Sequence, residues 1–221
     1  MSSLFSRLSN YPTVTFSTQI PFLKTKLFLA LAHKYCSEGT VHYIDLDLQF
    51  SSLLCLWSES ENYPNEISNL DLRTVTDNDA LEEFTLFLSR NDLGRGGAIF
   101  IDSVNTLQEV LLQPTDEDYS RANHRAGVLL TLFQDFARRH SKSLILSNLA
   151  RSRPSPKGSE ISWEKESPGG RMIRSKSNAL LVVSQDPESK MIRFEVESVG
   201  NGSKGDLKKG EKIEISPQKA N

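Results

Sequence analysis

The chain has 221 residues, enough for one α/β domain with a single buried core and too few for two ordinary ones. Lys plus Arg number 26 against 28 Asp plus Glu, and the net charge of -2 excludes a global basic field for nucleic acid or an acidic membrane. Any such binding must be local.

In chain order, Thr13 to Phe16 reads as a strand, and Leu27, Phe28, Leu31, Ala32 and Tyr35 recur at helical spacing. Thr40 to Ile44 is a second strand, running into Asp45, Leu46 and Asp47, with a short helix from Gln49 to Trp57. Ser58 to Asn69 is polar and read as a loop, and a helix is expected over about Asp79 to Arg90. Gly94, Gly96 and Gly97 break the chain before the strand Ala98 to Asp102. A helix follows from about Asn105 to Leu112, then an acidic loop from Pro114 to Tyr119. Arg121 to His140 is the clearest amphipathic helix, with Ala126, Leu129, Leu130, Phe133, Phe136 and Ala137 on one side. Ser143 to Asn148 is a strand, and Arg151 to Ser177 is a polar loop rich in Pro, Gly and Ser. Ala179 to Val183, Met191 to Val196 and Lys212 to Ile215 read as consecutive strands. The pattern predicts an α/β fold: a mostly parallel sheet flanked by helices, with antiparallel strands at its C-terminal edge. Residues 1–199 form that domain, and 200–221 a short strand within a mobile tail.

Between the first strand and helix stand Thr18, Gln19, Ile20, Pro21, Phe22, Leu23, Lys24 and Thr25. A Walker A loop has G-x-x-x-x-G-K-[ST] at this place, its glycines letting backbone N–H groups curl around phosphates while the lysine reaches the outer charges. Here the lysine and threonine remain, but Thr18 and Leu23 replace both glycines and Pro21 removes a donor. For Lys24 and Thr25, a solvated helix start is favoured over residual phosphate binding. Ile20, Phe22 and Leu23 offer either a partner surface or packing into the domain's own core.

The order of features resembles the core of the RecA/RadA recombinases, including RadA paralogues and the KaiC-like group, over about Tyr11 to Glu197. Four pieces carry the resemblance: the decayed loop ending in Lys24 and Thr25; Tyr43-Ile44-Asp45-Leu46-Asp47; Ala98 to Ser103; and Leu144 to Asn148 with Gly169-Gly170-Arg171 downstream. The resemblance implies that Asp47 stands where the family's catalytic glutamate activates water, and Asp102 where an aspartate orients magnesium. Asp47 is one methylene shorter than that glutamate, and Leu149 replaces the family's γ-phosphate-sensing glutamine. Asp47 and Asp102 are therefore read as vestigial, and a strand-end carboxylate such as Asp45 or Asp102 can also serve as a hydrogen-bond acceptor for loops. No cofactor is expected, with Mg-ATP bound only if the degenerate loop still takes it, and no metal.

From Arg151 to Lys176 the chain holds seven basic residues against three acidic ones, a local charge of +4. Arg151, Arg153, Lys157, Arg171, Arg174 and Lys176, with Trp163 available to stack on a base, suit a single-strand path. The alternative is a solvated loop; the resemblance favours the first, because the corresponding family loop faces DNA. The four histidines are scattered, and Ser103 has no nucleophile-elbow or triad pattern. Cys36 and Cys55 lack metal-ligand spacing and are expected as buried thiols in a reducing compartment.

The function expected is a non-hydrolysing RecA-fold paralogue, an accessory or mediator subunit in homologous recombination or DNA repair. Its expected partners are a RecA-family recombinase or paralogue subunit in a hetero-oligomer, with single-stranded DNA as a second candidate and no membrane. The chain has no Phe-x-x-Ala, the sequence through which such recombinases dock on one another, so indefinite self-polymerisation is not expected. The alternatives are a weak RadA/KaiC-like ATPase and a structural RecA-fold subunit of an Elongator-like tRNA-modification complex. An intracellular location is expected, cytoplasmic or nuclear/nucleoid.

Overall fold

The computed structural model describes residues 2–58, 67–112, 118–157, 160–166, 170–200 and 205–216. In chain order the elements are α1 (Ser2–Leu8), β1 (Thr13–Thr18), α2 (Pro21–Cys36), β2 (Val41–Asp45), α3 (Gln49–Ser58), β3 (Leu70–Thr74), α4 (Asn78–Arg90) and β4 (Ala98–Asp102). They continue as α5 (Val104–Leu112), α6 (Tyr119–Arg139), β5 (Ser143–Leu149), β6 (Arg151–Lys157), β7 (Glu160–Glu166), α7 (Gly170–Lys176), β8 (Ala179–Gln185), β9 (Ile192–Val199) and β10 (Lys212–Ile215). Eight strands form one sheet in the order β10-β9-β8-β1-β5-β4-β2-β3, and β6 and β7 pair as a separate ribbon. All pairings from β3 across to β8 are parallel, while β8-β9 and β9-β10 are antiparallel. The expected α/β architecture with its antiparallel C-terminal edge is what forms.

β1, β2 and β4 are buried along their whole length, β4 as an apolar run up to Asp102 and β1 with its threonines and serine buried as fully as Val14 and Phe16. One core packs α1, α2 and Phe50 of α3 against the sheet; the other packs α4, α5, α6 and Ile173 of α7. The helices thus lie on both faces, and the carboxyl ends of β1, β2, β4 and β5 open together at one edge of the sheet.

The structure adds elements that the sequence pattern did not announce. α1 buries Leu4, Phe5 and Leu8, and its Arg7 reaches Asp206 at 2.9 Å and Glu211 at 2.7 Å. Leu207 N donates to Tyr11 Oη at 2.8 Å, so residues 205–216 contact the body through these bonds and through β10. β3 is a half-buried edge strand. The segment read as a polar loop from Arg151 is the β6–β7 ribbon followed by α7. Most of the polar stretch after Ser58 and of the acidic loop after Leu112 lies outside the described residues, as does Gly169. Cys36 is buried, but Cys55 is exposed on α3, contrary to expectation. Among the described residues no helix is long and apolar enough to cross a membrane.

Candidate functional site

The connector between β1 and α2 is two residues, Gln19 and Ile20. Pro21 occupies the first helical turn, where its fixed φ is preorganised and its missing N–H costs nothing. α2 therefore starts three residues before Lys24, and Lys24 N donates to Ile20 O at 3.1 Å as part of the first turn. Ile20 N donates to Thr18 Oγ1 at 3.2 Å. Two of the amides that a phosphate cradle needs are spent within the protein, and Pro21 has none. The segment that would wrap a phosphate is already helix.

Starting the helix early carries the Lys24 side chain inward. It is 1% exposed, and its Nζ lies 2.5 Å from Asp47 Oδ2 and 2.6 Å from Asp102 Oδ1. The expectation of a solvated lysine is thus overturned, because the truncated connector points the residue over the strand ends and not into solvent. Thr25 is buried as well, its Oγ1 at 3.1 Å from Pro21 O and 3.2 Å from Gln49 Oε1.

Asp102 is fully buried and held on every side. Ser147 Oγ donates to its Oδ1 at 2.5 Å and Tyr43 Oη to its Oδ2 at 2.6 Å. Tyr43 is fixed in turn by stacking between Phe50, at 4.0 Å between ring centroids, and Phe100, at 5.2 Å. Burial pushes the Lys24 ammonium toward neutrality, but the fields of Asp102 and Asp47 outweigh it and hold its pKa above the ordinary value. Burial raises the Asp102 carboxyl; Lys24 opposes that and the second carboxylate, Asp47, adds to it. One cation between two carboxylates leaves surplus negative charge, and Asp102 is the group that feels it. Burial and the adjoining Asp102 together push Tyr43 far above the usual phenol range, so it remains a donor.

Asp45 ends β2 beside this cluster, and its Oδ2 accepts from both N and Oγ of Ser51 at 2.6 Å. Its Oδ1, like Oδ1 of Asn148, is buried with no hydrogen-bond partner among the described residues. Oxygens of Asp45, Asp47 and Asp102 fall within 4.8 Å of one another, the donor set of a divalent-cation site. The Lys24 ammonium already sits on two of those carboxylates, Asp47 and Asp102, so the three do not fit a magnesium ion while Lys24 stands there. Leu149 N donates to Asn105 Oδ1 at 2.7 Å and Leu149 O accepts from Asn105 Nδ2 at 3.2 Å. Ser103, joined to Asp102 by a cis peptide, pairs with Thr106 at 3.1 Å.

The basic segment is organised differently from a loop. In the β6–β7 register Arg151 stands opposite Glu166, Arg153 opposite Glu164 and Lys157 opposite Glu160, while Trp163 stands opposite Pro154. By register, each basic position of β6 is thus paired with a glutamate position of β7. Pro154 and Pro156 share the other parity, and a ladder forms with them only if their missing N–H groups point away from β7. On α7, Arg174 pairs with Glu197 at 2.5 Å and Lys176 Nζ donates to Thr131 Oγ1 at 2.6 Å, while Arg171 is exposed.

The structure thus brings Lys24, Asp47 and Asp102 together, and leaves the ribbon and α7 residues outside that cluster. Tyr43, Ser147 and Asn105 are the members that sequence reasoning passed over. Tyr43 and Ser147 lie inside motifs, yet nothing in a single sequence marks them as the donors to Asp102. In comparisons with known proteins, no family model and no curated sequence matched this chain.

Proposed function

We propose that this protein is a RecA-like subunit that neither binds nor hydrolyses nucleotide and acts by contact with another protein. The observation that carries the reading is the internal ion pair: Lys24 is buried on Asp47 and Asp102, at 2.5 and 2.6 Å, so a phosphate would have to displace both carboxylates to reach it. Phosphoryl transfer is catalysed by positioning and electrostatics, and the connector, the lysine and the Leu149 position all lack the parts for both. The strand order supports a RecA-like core, with β5 between β1 and the strand that ends in Asp102. On that likeness, the partner is a RecA-family recombinase or paralogue and the role an accessory one in recombination or repair.

Calorimetric titration with Mg-ATP should give no saturable heat, and a phosphate-release assay no turnover. Micromolar affinity with turnover lost in Lys24→Ala would overturn the reading. A pull-down from the native cell tests the partner: recombination proteins support the role, and tRNA-modifying subunits would move the protein to a structural place in such a complex.

Contact with single-stranded DNA is a second reading, favoured by Arg171 at the exposed surface of α7. The register pairs the Arg151, Arg153 and Lys157 positions with glutamate positions, so affinity should be weak, sequence-tolerant and steeply salt-dependent. If the ribbon is the path, Glu164→Gln should strengthen binding of a labelled strand in fluorescence anisotropy, and Arg171→Ala should weaken it. No change in either variant leaves the protein with protein contacts alone.

A further inference from the structure

Among the described residues the β6–β7 ribbon pairs with no strand of the eight-stranded sheet. A two-stranded ribbon on its own is marginal in water, and a third strand completes it. Its two outer edges are unlike. In an antiparallel pair, residues whose N–H and C=O point to the partner strand alternate with residues whose N–H and C=O point away. Because Pro154 and Pro156 have no N–H to give, the ladder runs through the other parity: Arg153 with Glu164, Ser155 with Ser162, Lys157 with Glu160. The outward backbone groups then belong to Ser152, Pro154 and Pro156 on β6, and to Ile161, Trp163 and Lys165 on β7. An incoming strand thus meets one outward N–H along β6 and three along β7. Prolines close an edge against added strands, and here they close only that of β6.

The open edge carries a charge pattern. Glu160, Ser162, Glu164 and Glu166 occupy one parity of β7, and Ile161 and Trp163 the other. Opposite charges at directly opposed positions stabilise a strand pair, and like charges destabilise it. A second copy of this chain fits with neither strand of its ribbon. Its β7, docked antiparallel on the same edge, must set its own outward residues against those of the first copy, which brings glutamate positions against glutamate or serine positions. Its β6 has the basic residues but lacks the N–H groups.

We infer that the partner is a different protein, which adds to the outer edge of β7 an extended segment with Lys or Arg at alternate positions and apolar residues between them. The inference rests on the reading of the chain as a protein-contact subunit and specifies that contact. Main-chain bonds to Ile161, Trp163 and Lys165 supply affinity, and basic residues opposite the three glutamates select the partner.

Fluorescence anisotropy with labelled synthetic peptides, titrated with the full chain, tests this. A peptide alternating Lys and Val should bind saturably, with a dissociation constant about tenfold or more below that of a Glu-Val peptide of the same length. Main-chain N-methylation of alternate residues gives a control that needs no variant protein. One parity of an added strand donates to β7, so methyl groups on that parity should abolish binding and those on the other should leave it. Trp163→Pro places a proline at an outward position, as on β6, and should abolish binding while the ribbon keeps its own ladder. Absence of saturable binding, equal binding of the two N-methylated peptides, or a labelled DNA strand bound where the peptide is not overturns the inference. So does a wild-type dimer in sedimentation velocity that Trp163→Pro dissolves, since the edge would then belong to a second copy. In a pull-down from the native cell, a partner recovered equally by wild type and Trp163→Pro leaves the protein-contact reading standing and removes this edge from it. A wild type that recovers no protein sinks the reading, and the inference with it.

Discussion

Replacing Lys24 with alanine is expected to lower stability by about 3–5 kcal/mol, because it strands buried carboxylate charge that no solvent can reach. Urea denaturation should show the midpoint falling with an unchanged slope. A phosphate-binding lysine at a ligand-facing position gives the opposite outcome, an intact fold with ligand affinity lost. The chemistry of the cluster supplies a second signature. With the ammonium gone, burial and Asp47 raise the Asp102 carboxyl further above its ordinary 3.8, opposed by the Ser147 hydrogen bond but no longer by a cation. A carboxyl whose folded pKa exceeds its unfolded one costs stability as pH rises through that window, so the variant should gain stability as pH falls toward 4. In the wild type, the folded pKa of Lys24 lies above its ordinary 10.5. Its contribution is therefore fully present below that value and is lost only as pH rises through the raised one. Adding Asp102→Asn to Lys24→Ala should recover part of the loss, a coupling that a double-mutant cycle measures. A midpoint unmoved by Lys24→Ala would mean that the lysine is not the counter-ion of this cluster.

What the sequence disclosed about this site, and what it withheld, follows from the range of the interactions. β1, β2 and β4 were legible because their β-branched, aromatic and apolar residues are local strand signals, and Asp45 and Asp102 mark where β2 and β4 end. The loss of the two glycines was legible too. The fate of Lys24 was not, although its cause stands three residues away. Pro21 reads as one missing donor, whereas its larger effect is to start α2 a turn early and swing the lysine inward. Asp102 is held by Tyr43, 59 positions away, and by Ser147, 45 positions away, contacts that only the sheet order creates. β3 was missed because five residues of mixed polarity, four half-buried and one exposed, become a strand only through pairing with β2. The β6–β7 ribbon was missed because two prolines argue against a strand, and an isolated ribbon tolerates them on its outer edge. Its register also changes the meaning of the +4 segment, since charge summed along a sequence ignores which residue stands opposite which.

The opposite end of the sheet carries the second large effect: Gly97→Ala should destabilise the protein by several kcal/mol. Gly97 has φ +74, and a Cβ there would lie 2.3 Å from Thr40 O and 2.8 Å from Gly39 C. The left-handed backbone contributes roughly 1–2 kcal/mol for a residue with a Cβ, and the overlap about 1–3 kcal/mol more. The obstructed atom is not free to move. Thr40 O accepts from Lys142 Nζ at 2.8 Å, and the same ammonium donates to Gly96 O at 2.7 Å. Lys142 is 5% exposed, and burial lowers its pKa, so a displaced Thr40 carbonyl would leave a buried ammonium short of one acceptor. Gly94→Ala is the control within the same loop, for Gly94 has φ +65 but nothing within 4 Å of its added Cβ. It should carry the backbone cost alone. Urea midpoints of the two variants therefore isolate the contribution of the overlap, and equal losses at positions 94 and 97 would show that the close passage of chain at Thr40 does not constrain the fold.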